Sequence, residues 1–521
     1  MATPPKVLCN DDGWILSTYG PPLTLERMRE TMISTYTDSP VDTFLWSVGG
    51  HDVFDYETEV GERVGTGYAD AELDQNGTRR RANLGQLIAE HGGPVTAIAR
   101  LCREAGLGFY PSVRMNEHYD MAEEAYTYSR LRRRHPEYLI GHPREALLPG
   151  TQQWGISTGL NYARPEVRAH MLAIIGELID RFEIDGIELD FMRHPAFFRI
   201  EEAYANRYLA TDLVRQVRGR LDARGQAEGR KLNLAIRVPP TLDDAARIGL
   251  DAAAWIEEGL PDLLIAGGGF RPFEMPISRF VEAAAGTGCR IYGCLEALAG
   301  CLDEEKLRGI CSRYWDAGVD GLYLFNYYSL AAAWKREVLG RLADPAALAR
   351  ADKRYEADSA AREPPTSQLG WSFRNAIPLA QLPVLFSGPT GRAVTLTLDV
   401  ADDVPGAWRA GSLASATLGL DFSRLPENAG MEIAINGHPL SWPDRRRATG
   451  TWTQTSYPDD MSTRPPQLVE RPIDGDQIEL ALDPGLLRKG ENLLRLRRTD
   501  TEAAAVETIE LKGLRLTLRY Q

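Results

Sequence analysis

Short apolar runs alternate with longer segments of helical period as far as about residue 345, and this alternation restricts the fold more than any other feature of the chain. Strand-like runs occur at Lys6 to Asn10, Thr43 to Val48, Gly108 to Val113, Gly186 to Phe191, Leu232 to Val238, Asp262 to Ala266, Arg290 to Leu295 and Gly321 to Asn326. Helical patterns fill the gaps, at Leu25 to Ser34, Pro94 to Ala105, Pro165 to Phe182, Ala203 to Asp222, Ile277 to Ala285, Glu304 to Ala317 and Ala331 to Leu342. Strands that alternate with helices form parallel sheets, because a parallel return needs a crossover long enough to hold a helix. Eight such units predict an α/β fold, a (β/α)8 TIM barrel with insertions. Residues 50–93 and 115–163 are the insertions, and both leave from C-terminal strand ends, the face on which TIM barrels build active sites. The second carries Tyr119, Tyr126, Tyr128, Tyr138 and Trp154, which either wall a pocket or form a small satellite core.

From Ser367 onward the pattern changes to alternating strands with turn punctuation, at Ala393 to Val400, Ala414 to Leu420, Met431 to Asn436, Ile478 to Leu482, Leu493 to Arg498 and Thr508 to Leu518. A chain of 521 residues exceeds one ordinary core, so a second, all-β unit is expected. The expected division is a barrel over 1–345, a linker over 346–366 containing Pro364 and Pro365, and a jelly-roll-like β-sandwich over 367–521.

The net charge of -14 and the pI near 5.3 argue against nucleic acid or an anionic membrane as partner. No apolar run approaches the roughly 20 residues that span a bilayer, and the start lacks a secretory pattern. The expectation is a cytoplasmic protein, or a secreted or periplasmic one if a signal has been removed; homo-oligomerisation stays open. Cys9, Cys102, Cys289, Cys294, Cys301 and Cys311 show no CxxC spacing, so zinc is not expected. His51, His118 and His194 could join Asp12, Asp52 or Asp190 around a metal, but no HxH or HExxH spacing supports it, and no metal or cofactor is expected.

The strand ends of a barrel meet its mouth, and here they are rich in polar side chains. Strand one ends in Asn10, Asp11, Asp12 and Trp14, strand two in Trp46, then His51 and Asp52, and strand three in Arg114, Asn116, Glu117 and His118. Strand four supplies Glu188, Asp190, Arg193 and His194, strand five Arg237, and strand six Gly267 to Gly269 before Arg271. Glu296 closes strand seven, and Asn326, Tyr327 and Tyr328 close strand eight. In the run IDGIELDFMRHP, period two sets Glu188 and Asp190 on one face and Ile187 and Leu189 on the other.

Carboxylates on strands four and seven would face each other across the mouth, as cleavage of a glycosidic bond requires. One protonates the leaving oxygen while the other acts as nucleophile or base, retention going with a separation of about 5 Å. Asp190 and Glu296 are therefore the catalytic candidates. Asp12, Trp46, Arg114, Asn116, His118, Glu188, Arg193, His194, Arg237 and Asn326 are the candidates for binding a carbohydrate substrate. The arginines tilt the expectation towards an anionic or decorated sugar. Glu188 also has a structural reading, which is preferred: an ion pair with Arg237 or Arg114 that positions Asp190. Two rival functions stay open, a non-catalytic carbohydrate-binding barrel and a metal-dependent hydrolase or lyase.

The run Asp185-Gly-Ile-Glu-Leu-Asp190-Phe-Met-Arg193-His194-Pro195 resembles the DGIxLDxxRxP strand-four signature of the glycosyl-hydrolase-like family ten proteins. The passage GLDAAAWIEEGLPDLLIAGGG, with Asp251, Trp255, Gly259 and Asp262, is similar to their strand-five to strand-six passage. The resemblance implies a TIM-barrel glycoside hydrolase with Asp190 as its strand-four carboxylate. Met192 stands where chitinases of the DGxDxDxE type carry their catalytic Glu, and Glu188 stands where α-amylases carry an Arg, so neither mechanism transfers whole. In the C-terminal unit, MEIAINGHPL and LDPGLLRKGENLLRLRR resemble the jelly-roll sandwiches attached to many glycosidases; packing on the barrel is the favoured role here over sugar binding, because no aromatic cluster forms a platform.

Overall fold

The computed structural model describes residues 6–50, 52–118, 125–141, 145–149, 151–267, 275–297, 302–327, 330–357, 380–387, 393–458, 461, 466–499 and 508–521. Eight parallel strands close into a barrel: β1 (Val7–Asp11), β2 (Thr43–Ser47), β3 (Gly108–Arg114), β4 (Gly186–Asp190), β5 (Asn233–Val238), β6 (Leu263–Ala266), β7 (Arg290–Glu296) and β8 (Gly321–Phe325). Each strand neighbours the next in sequence, and β8 pairs with β1 to complete the ring. Every boundary falls within one residue of the sequence expectation.

Two apolar layers hold the barrel. Leu8, Tyr110, Ala235, Tyr292, Tyr323 and Phe325 fill its interior, while Ile187 and Leu189 belong to the layer between strands and helices. Large rings inside the barrel require small neighbours. A Cβ at Gly321 would lie 2.3 Å from the Tyr292 ring, so glycine is what leaves room for that tyrosine.

The first excursion contains three short strands and helix α1 (Gln75–His91), which the apolar pattern did not announce. Its buried face includes Gly77, Arg79 and Asn83 beside Leu84 and Leu87, so no apolar stripe of helical period exists to be read. Its ends are nevertheless well marked: Asp74 accepts from the Gly77 amide at 2.7 Å, and Gly92 closes the helix at φ 79°. The helix expected at Leu25 to Ser34 is a broken one, α-helical over Leu25–Met28, π over Arg29–Ile33 and 3-10 over Ser34–Tyr36. No helix among the described residues is long and apolar enough to cross a membrane.

The C-terminal unit is built from antiparallel sheets, one centred on Leu413–Phe422 and Ile509–Tyr520 and another on Val394–Val400 and Gly490–Arg498, with an apolar core of its own. Lys353–Glu356, inside the expected linker, pairs with Ile509–Tyr520 and so belongs to this unit, while Pro364 and Pro365 lie outside the described residues. The barrel and the sheets are joined by Lys306 to Glu356 at 2.9 Å and by the Arg313 guanidinium donating to the Asp399 carbonyl at 2.8 Å. A two-stranded arm, Thr451–Ser456 paired with Gln467–Pro472, extends from the C-terminal unit. Between its strands, Met461 donates its amide to the Thr18 carbonyl at 3.1 Å and buries its side chain in the barrel's outer core.

Candidate active site

The site grows from the end of β4. Glu188 and Asp190 both point into the barrel, and the parallel register sets Asp190 beside Arg114 of β3 and Arg237 of β5. Arg237 grips Asp190 with two bonds, Nε to Oδ1 at 2.9 Å and the second to Oδ2 at 2.7 Å. The amides of Met192 and Arg193 also donate to Oδ1, at 2.9 and 3.2 Å. Burial opposes the carboxylate charge, but the Arg237 charge and its hydrogen bonds, helped by Arg114 and the Met192 amide, outweigh it and hold Asp190 below its usual range. The Arg237 guanidinium in turn lies 3.9 Å from the centre of the Phe325 ring.

One pleat deeper, Glu188 stands in the opposite condition. Its Oε2 accepts from Asn10 Nδ2 at 2.7 Å, and Asn10 also donates to Ser112 at 3.1 Å. Burial first, and then the negative charge of Asp190, push Glu188 up to about 7. The ion pair expected of Glu188 is therefore not made: Arg237 is taken by Asp190, and Arg114 by Asp12 and by Glu117 at 2.6 Å. Adjacent-strand register decides this, because it puts Arg237 level with Asp190 and only Ala235 level with Glu188.

Glu296 is the last residue of β7 and is fully buried. Its Oε1 accepts from Asn326 Nδ2 at 3.0 Å, and Asn326 sits just past β8 at φ 65°, a left-handed position that asparagine tolerates. His118 and His194 meet edge to face with ring centroids 4.4 Å apart, and Arg193 lies 6.0 Å from the Phe325 ring.

Two expected binding residues do not face the mouth. Trp46 packs in the layer between strands and helices, since Leu45 takes the inward position on β2. Asn116 is spent on the backbone: Nδ2 donates to the carbonyls of Leu160 and Ala196, and Oδ1 accepts from the amides of Glu117 and Leu160. His51, Tyr119, Gly268, Gly269, Arg271 and Tyr328 lie outside the described residues.

A cavity of about 350 Å³ opens at the mouth beside β1 to β3, lined among others by Asp12, Trp14, Ser47, Arg114, Glu117 and Tyr126. Asp55 and Arg80 also line it, joined to each other by bonds of 2.9 and 2.7 Å, and no sequence signal singled them out because they stand apart in an excursion without a motif. Tyr126 serves both roles considered for the aromatic residues, lining the cavity and packing on the small cluster of Val53, Val64 and Leu84. Larger cavities of about 510 and 650 Å³ lie between barrel and sandwich and at the N-terminal foot of the strands, away from the acids. Among the described residues no group of three or more His, Cys, Asp or Glu side chains is arranged to hold a metal ion.

No protein-family model and no curated protein matches the chain. Among solved structures it is similar to alpha-L-fucosidase isoenzyme 2 from Paenibacillus thiaminolyticus, at 13% identity and TM-score 0.41, over 66% of this chain and 49% of that one. It is similar too to a GH36 alpha-galactosidase from Geobacillus stearothermophilus in complex with raffinose, at 12% identity and TM-score 0.38, over 95% of this chain and 55% of that one. An alpha-amylase from Lactobacillus plantarum matches at 11% identity and TM-score 0.37, over 92% of this chain and 99% of that one. The chain spans about half the length of the first two.

Proposed function

We propose that the chain is a glycoside hydrolase that uses Asp190 and Glu296 as its carboxylate pair. The observation that carries this reading is the state of Asp190: a carboxylate at a barrel strand end, held ionised by a two-bonded Arg237 and two backbone amides. Such a group is a poor proton donor and is already ionised, the state that a carboxylate nucleophile needs. Glu296, oriented by Asn326, is then the proton donor to the leaving oxygen. In the retaining form of this reaction, Asp190 attacks the anomeric carbon as Glu296 protonates the departing oxygen. Glu296 next takes a proton from water, which releases the sugar from Asp190. The resemblance of the strand-four run to the signature of the glycosyl-hydrolase-like family ten proteins supports the same choice of Asp190.

Turnover of an aryl glycoside panel tests the proposal. Asp190→Asn and Glu296→Gln are each expected to lose on the order of a thousandfold or more in kcat. Undiminished hydrolysis by Asp190→Asn would sink it. One observation favours a second reading, a barrel that binds glycan without cleaving it. Asp190 and Glu296 are 1% and 0% exposed, while the open cavity is lined by Arg114 and by neither acid. Tight glycan binding by a wild-type chain that releases no product would establish that reading instead.

A further inference from the structure

We infer that the cavity beside β1 to β3 is a subsite for an uncharged sugar residue and discriminates against uronates and sulfated sugars. This rests on the proposal that the chain handles carbohydrate, and it reverses the tilt towards anionic sugars that the arginine content alone suggests. The reason is that the arginines of the cavity are already engaged. Arg80 is held by Asp55 through two bonds, and Arg114 bridges Asp12 and Glu117. Three carboxylates and two guanidinium groups line the cavity, so its fixed charge is negative. An entering anion would meet that charge, and any guanidinium it reached would already have its positive charge matched by a carboxylate.

Glu117 cannot readily step aside. It is 2% exposed, and a Cβ at Gly50 would lie 2.2 Å from its carboxyl, so the carboxyl is pressed against the bare backbone of Gly50. Neutral hydroxyls face none of these obstacles, because they donate to the spare lone pairs of paired carboxylates and accept from guanidinium N–H groups. Ser47 adds a further polar group: it lines the cavity, is 2% exposed, and its hydroxyl has no hydrogen-bond partner among the described residues. Trp14 and Tyr126 bring ring surface for the C–H faces of a sugar.

The test is calorimetric titration of the full chain carrying Asp190→Asn with neutral oligosaccharides and their uronate-bearing and sulfated counterparts. Neutral ligands are expected to bind on the order of tenfold tighter or better. Glu117→Gln frees part of Arg114 and is expected to narrow that preference severalfold, with Asp12→Asn as a second route to the same change if the first variant does not fold. Ser47→Ala is expected to weaken neutral ligands alone. Equal or tighter binding of acidic ligands, or no glycan binding at all, overturns the inference, as does an unchanged preference in the folded Glu117→Gln or Asp12→Asn chain. Neutral binding without product release by the wild type upholds the subsite and refutes hydrolysis. Hydrolysis of acidic glycans does the reverse.

Discussion

Asp190 and Glu188 show how one strand face can hold two acids in opposite states. Removing the guanidinium, as in Arg237→Met, leaves Asp190 buried without its counter-charge. The expected loss is about 3 to 5 kcal/mol, measured by urea denaturation at pH 7. Glu188 gives a prediction of opposite sign with pH. Its ordinary value is 4.5 and its folded value about 7, so the folded chain keeps a proton that the unfolded chain has released. The corresponding stability is complete below about pH 4.5 and is lost as the pH climbs to about 7. Asp11, also pushed up to about 7 by burial, adds to the same trend, so the comparison must be with Glu188→Gln, which stays neutral throughout. That variant is expected to gain on the wild type from pH 5 to about pH 7 in denaturation midpoints and to gain little more above it; a constant difference across that window would refute the assignment. The inward face of β4 was legible in the sequence because period two declares it. The choice of ion-pair partners was not, because the offset between neighbouring strands is a property of barrel closure that the sequence of either strand does not express.

At the level of elements, the mouth is braced by a helix whose buried face is polar. Asn83 of α1 donates to the carbonyls of Leu16 and Tyr19 at 3.1 and 2.9 Å and accepts from the Leu23 amide at 3.2 Å. These bonds pin the segment after β1, which carries Trp14 into the cavity wall. Asn83→Ala is expected to cost about 2 to 3 kcal/mol and to weaken sugar binding with little change in the pH dependence of turnover, as measured by thermal denaturation and titration. Hydrophobic periodicity found the strands and most barrel helices because those elements bury apolar side chains. It passed over α1, whose buried arginine and asparagine are invisible to any rule that looks for an apolar stripe, and with it the cavity that α1 helps to wall.

Across the whole molecule, contacts between barrel and sandwich are largely ionic, but the arm adds an apolar anchor at Met461. Met461→Ala is expected to destabilise the chain by about 2 kcal/mol and to speed amide hydrogen exchange in residues 14–23 more than in the sandwich strands. Equal change in both regions would show that the anchor serves the sandwich alone. That an all-β unit follows the barrel was legible from the switch to alternating strands, whereas the membership of Lys353–Glu356 in that unit and the arm's reach back to Thr18 were not, since contacts so remote leave no local pattern. The arm also sets an order of completion during synthesis. Thr18 leaves the ribosome more than four hundred residues before its partner Met461, a delay of roughly 20 to 90 seconds at ordinary elongation rates. A barrel fully translated but not yet followed by its C-terminal unit therefore has all eight strands and both acids, yet lacks the last restraint on the rim through which a substrate would enter.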